Sequence, residues 1–193
     1  MIEIDKRELN DIINRLGGSE KKAKDVLRRT LNRVGAKVRT ELDREVRRTY
    51  MVKQKDVLKV LKFKKGTHSD ICAEISAKGG FMPLQYFKTS PTLAKAVQNL
   101  GIEAKPIKAR VKKSGSLKKV AGMFAQVSTK TGNVNLMKRL SGSRYPAPMV
   151  MGPSLPEMFG NKEILSEIEE VAAETYHKRL EHEIGYVLSK GGG

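Results

Sequence analysis

SRYPAPMVMGPSLPEMFGN, from Ser143 to Asn161, is the stretch whose reading decides the fold. Four of the chain's seven prolines lie in it, at Pro146, Pro148, Pro153 and Pro156. Each proline fixes φ and lacks an amide donor, and the residue before it is pushed toward extended geometry. The spacing therefore predicts a stiff, extended connection that is neither helix nor central strand. One reading is a rigid connecting loop. The sharper reading is a docking arm. Tyr145, Pro146, Met149, Met151, Pro153, Leu155, Pro156, Met158 and Phe159 place apolar surface on a segment with no regular packing, and exposed apolar patches mark partner surfaces. These are the candidate protein-interface residues.

Two unlike regions flank this arm. Downstream, Asn161 caps a helix over residues 162–190 whose apolar face runs Ile164, Ile168, Val171, Ala172, Thr175, Tyr176, Leu180, Ile184 and Leu188. Upstream, Ile12, Ile13 and Leu16 mark a short helix stopped by Gly17-Gly18, preceded by a possible strand at MIEI and an Asp5-x-x-Glu8 capping signature. Ala23, Val26, Leu27, Leu31, Val34, Val38, Leu42 and Val46 then recur every three or four residues, which predicts one long basic helix over residues 19–49.

Residues 70–140 read as a sheet region. KQKDVLKVLKF predicts a short helix ended by Gly66. DICAEISA alternates Ile71, Ala73, Ile75 and Ala77 as a half-buried strand, with FMPLQYF as its partner on an edge because of Pro83. A short helix over Pro91 to Asn99, strands over Ile107–Lys112 and Met123–Thr129, and a return strand over Val134–Leu140 complete the region. The expectation is a single α+β domain over residues 1–193. It has an antiparallel sheet flanked by a long N-terminal helix and a long C-terminal helix, with a proline-rich extended arm at residues 143–161.

Charge is the strongest compositional signal. Lys and Arg number 38 against 21 acids, a net +17. The excess is uneven: residues 162–193 hold four bases and seven acids, which leaves +20 upstream. A body this basic faces a polyanion or an acidic partner surface. Arg29, Arg33, Arg44 and Arg47 fall on a stripe beside the apolar face of the long helix, and Lys112, Lys113, Lys118 and Lys119 surround the SGS turn of KKSGSLKK. These are the candidate phosphate-contacting residues. Against nucleic-acid binding stand the 5% aromatic content and the lack of a standard reading module.

Catalytic patterns are thin. His177 and His182 are five apart on a helix, a spacing that splits them between faces, and His68 is remote. Cys72, the lone cysteine, excludes an internal disulfide and reads as a small core residue. No GxxxxGK[ST] or GxGxxG cradle occurs. The expectation is a non-enzyme with no catalytic residue, cofactor or metal. No run approaches the roughly 18 apolar residues of a membrane helix, and MIEIDKRELN does not read as a signal peptide, so no membrane partner is expected.

Several stretches together resemble the minor tail protein Z family of long-tailed bacteriophages, also described as tail completion proteins. In order they are VKQKDVLK (Val52–Lys59), MPLQYF (Met82–Phe87), IKARVKKSGS (Ile107–Ser116), AGMFAQV (Ala121–Val127), GNVNLMKR (Gly132–Arg139), SRYP with GPSLPEMFGN, and EIEEVAAETYHKRLEHEI. The ordered set covers most of the chain. It implies a virion structural protein, made in the host cytoplasm, at the head-proximal end of the tail, acting in tail completion or head–tail joining. The implied partners are copies of itself in a ring, other tail or neck proteins, and DNA passing through the tail. The alternative is a basic nucleic-acid-binding protein that contacts DNA phosphates.

Overall fold

The computed structural model describes residues 6–98, 106–143 and 145–190. The expected MIEI strand and the Asp5 end of the capping signature lie outside these residues. The chain forms two compact units. One comprises Met1–Arg44, Leu58–Ala77 and Phe159–Gly193; the other comprises Glu45–Val57 and Lys78–Met158.

In the first unit, helix α1 (Lys6–Arg15) stops at two glycines in left-handed geometry, Gly17 at φ 69° and Gly18 at φ 79°. The Gly18 amide closes the helix onto the Ile13 carbonyl at 2.9 Å. Helix α2 (Glu20–Thr49) follows, within a residue of the predicted start. The C-terminal helix spans Lys162–Lys190, with the Asn161 side chain accepting from the Glu163 amide at 3.0 Å, an N-cap as the sequence predicts.

The core of this unit is helix on helix. Ile12 and Leu16, then Ala23, Val26, Leu27 and Val34 of α2, meet Tyr176, Leu180 and Ile184 of the C-terminal helix. Each fully buried aliphatic side chain here contributes about 1.5–3 kcal/mol. The terminal helices therefore lie against each other, where the sequence predicts both against a sheet. Apolar stripes on both helices satisfy one another, and the strands of this unit are too short to cover them.

Strand β1 (Leu61–Lys64) and β2 (Glu74–Ala77) form the unit's antiparallel ladder, with Phe63 opposite Ile75. Three expectations are corrected here. The helix predicted through KQKDVLKVLKF is α3 (Gln54–Val60) and stops at Val60, because Leu61 and Phe63 alternate onto one face and enter a strand. That strand takes the place reserved for FMPLQYF as partner of residues 74–77. Cys72 is exposed, not a core residue, in the loop ahead of β2. The loop is tied down by Asn32, whose side chain accepts from the Gly66 amide at 2.7 Å and donates to its carbonyl at 3.0 Å.

Among the described residues the second unit holds three further antiparallel sheets in place of one. Strand β3 (Phe81–Pro83) leads through a 3-10 turn at Leu84–Tyr86 to β4 (Lys88–Ser90), and a short helix α4 (Leu93–Gln98) follows. Strands β5 (Lys108–Arg110) and β6 (Lys118–Lys119) join β4 in the order β4-β5-β6. Strands β7 (Met123–Val127) and β8 (Val134–Lys138) form the predicted hairpin, with Gly132 at φ 67° in its turn. Strand β9 (Met151–Ser154) pairs with β3 across a register shift.

Candidate functional site

The proline segment is not a free arm. Its first half lies antiparallel along β8. The Lys138 amide donates to the Pro148 carbonyl at 3.0 Å, the Leu140 amide reaches the Pro146 carbonyl at 3.5 Å, and the Val150 amide donates to the Leu136 carbonyl at 2.7 Å. Proline lacks a donor but keeps its carbonyl, so one-sided pairing at a sheet edge suits it. Gln85 supplies part of what is missing: its side chain accepts from the Leu136 amide at 3.4 Å and donates to Asn135 Oδ1 at 2.9 Å.

The second half becomes regular structure: its strand pairs with β3 alone among the described residues, as a non-central strand can, and its helix corrects the expectation that the segment holds none. Met151 to Ser154 is β9, and Leu155–Phe159 is a short helix, α5. Its start is a capping box. The Ser154 amide donates to Glu157 Oε2 at 2.7 Å, the Ser154 hydroxyl donates to the same oxygen at 3.0 Å, and the Glu157 amide donates to Ser154 Oγ at 3.3 Å. The S-x-x-E of SLPE carries that signal in the sequence.

Burial sorts the expected interface residues. Leu155 (3% exposed), Met158 (0%) and Phe159 (7%) are internal packing residues. Met149, Pro153 and Pro156 are half-buried. Tyr145 (71%), Met151 (50%) and Pro146 face solvent. Leu140, 65% exposed, joins them through the Leu140–Pro146 hydrogen bond, which puts it at the same end of the ladder as Tyr145. Phe81 and Tyr86, on and beyond β3, are also exposed. Leu140, Phe81 and Tyr86 are absent from the sequence-based set, because only tertiary pairing tells a strand's covered face from its open one.

The candidate phosphate contacts differ in their surroundings. Arg29 lies 3.7 Å from Glu183 and 6.0 Å from the Tyr186 ring centre, and Arg44 lies 3.7 Å from Glu41. Arg47 is half-buried and Arg33 exposed. Lys112, Lys113, Lys118 and Lys119 are all exposed, with the Lys112 ammonium 5.8 Å from the Tyr50 ring centre.

Two open depressions of about 370 and 390 Å³ lie on the first unit, lined by charged side chains such as Lys24, Asp25 and His68 in one and Arg29 and Lys190 in the other. Among the described residues no group of three His, Cys, Asp or Glu side chains is placed to hold a metal. No helix among them is long and apolar enough to cross a membrane.

A family model for prophage minor tail protein Z matches residues 7–190. The chain belongs to that family. No curated protein sequence and no solved structure matches the chain. The minor tail protein Z match embraces both compact units and every stretch on which the resemblance rests. Membership makes this a phage tail protein, a structural component of the virion.

Proposed function

We propose that the chain is a structural protein of the head-proximal end of a long-tailed phage tail, where it completes the tail or joins it to the head through contacts with its own copies and with tail or neck proteins. The observation that carries this reading is the exposed apolar tip, Tyr145 with Leu140, held on a hydrogen-bonded ladder rather than on a loose loop. A rigid apolar anchor docks at little ordering cost, which is what an assembly contact requires.

A second feature supports side-by-side packing of copies. Glu163, Glu167, Glu170 and Glu174 fall within one narrow stripe of the C-terminal helix at about 100° per residue. Further along, Glu181 and Glu183 are engaged by Arg15 and Arg29 of the same chain. The acidic stripe on the first half of that helix suits a basic surface of a neighbour, giving a heterologous contact that closes by rotation into a ring. Of the α2 stripe, Arg33 and Arg44 are exposed, Arg44 with Glu41 at 3.7 Å.

Imaging of assembled particles carrying a tagged copy tests the position. Density for the tag at the head-proximal end supports the reading, and density only at the distal tip, or none in the particle, contradicts it.

A further inference from the structure

The second unit carries most of the net positive charge. Its residues hold 18 bases and four acids, net +14, whereas the first unit holds 20 bases and 17 acids, net +3. From Lys78 to Pro156 the only carboxylate in the sequence is Glu103.

Strand register concentrates this charge. In the β4-β5-β6 ladder Lys88 stands opposite Arg110, and Lys108 stands opposite Lys119. Side chains alternate along a strand and share a face across it, so these four cations lie on one face together with Ser90, while Ala109 turns to the buried face. The alternation carries on to the exposed Lys112. None of these five cations has an ion pair with a carboxylate among the described residues. The Arg110 Nε is buried and has no hydrogen-bond partner there.

Like charges directly opposite one another destabilise a sheet. A face built from two such pairs, with no carboxylate paired to it among the described residues, fits a polyanion. The face also carries no apolar side chain, and lysine is depleted from protein–protein interfaces, whereas protein–DNA interfaces are strongly cationic. We propose that the outer face of β4-β5-β6, formed by Lys88, Lys108, Arg110, Lys112 and Lys119, binds the phosphate backbone of duplex DNA without reading sequence. This goes beyond the docking role, and it requires no contact between copies.

Fluorescence anisotropy with a random-sequence duplex, titrated between about 50 and 200 mM salt, tests it. Neutralising about five phosphates gives a log–log salt slope near −4.5. Lys108→Gln with Lys119→Gln should weaken binding roughly tenfold and make the slope shallower by about two, with an unchanged or higher melting temperature because a repulsive pair is gone. Lys162→Gln with Lys178→Gln on the C-terminal helix removes the same charge and should change neither. Equal losses in the two double variants, no duplex binding by the wild type, poly-glutamate binding as tight as DNA, or a lower melting temperature for the sheet variant would each overturn the proposal. Entry of the sheet variant into tails separates this site from the docking tip: a variant that assembles normally but has lost DNA binding leaves the docking role intact.

Discussion

At Gly152 a Cβ would stand 2.7 Å from the Phe87 ring, and Phe87 is only 5% exposed. The ring has no free direction in which to yield. Gly152→Ala should therefore cost about 1–3 kcal/mol, the usual range for overpacking, measured by urea denaturation; an unchanged midpoint would show the ring is not fixed. Thr30 poses the opposite problem. It is fully buried, and its hydroxyl has no partner among the described residues. Thr30→Val should stabilise by about 1 kcal/mol, since an unmade buried hydrogen bond costs more than a methyl group that fits. Acid titrates a third set. The Arg15 guanidinium, chiefly through hydrogen bonds of 2.8 and 2.5 Å, holds the Glu181 carboxyl below its usual range. Lys24 and Lys37 do the same to Glu20 and Glu41. A carboxylate lowered in the folded state adds stability above its unfolded value and loses it as pH falls through the folded one. The wild-type melting temperature should thus fall below about pH 4, and more steeply than that of Glu181→Gln, with the difference fading in high salt because the pair is exposed. None of these three effects is legible in the sequence. Gly35 shows why: helix propensity marks it as a weak point, but only the fold places the Phe63 ring against its Cβ position.

Among elements, periodicity over long stretches read true. Residues 19–49 and 162–190 carry an apolar stripe over seven or more turns at the α-helical period, so one misplaced residue does not shift the pattern, and both helices stand where predicted. Strand partners are harder. Residues 74–77 pair with 61–64 rather than with FMPLQYF, since a four-residue strand carries too little pattern to choose its neighbour. The proline segment departs from expectation for a different reason. Proline lacks a donor, but its free carbonyls pair at a sheet edge and the S-x-x-E cap starts a helix. The capping box makes a separate prediction. Glu157→Gln removes a charged acceptor for both the Ser154 amide and hydroxyl, and should cost about 1 kcal/mol in thermal melting while leaving the chain folded. No loss would mean α5 is held by Met158 and Leu155 alone.

For the whole molecule, two properties come from the division into units. Counting along the chain puts the charge boundary at residue 162, but the units are discontinuous, and the fold instead gathers +14 into residues 45–57 and 78–158. The docking tip likewise needs the ladder: Leu140 and Tyr145 are both hydrophobic in the sequence, but nothing local says they share an exposed end. With Leu155, Met158 and Phe159 buried, deleting GPSLPEMFG removes core and cannot isolate docking from folding. Point changes at the tip can. The most direct measurement is incorporation of Leu140→Ser with Tyr145→Ser into tails during complementation of a phage lacking the protein, read by immunoblot of purified particles. A virion structural role through that tip predicts a wild-type melting temperature for the purified variant and at least tenfold less of it in the particles; wild-type incorporation by the folded variant would contradict it.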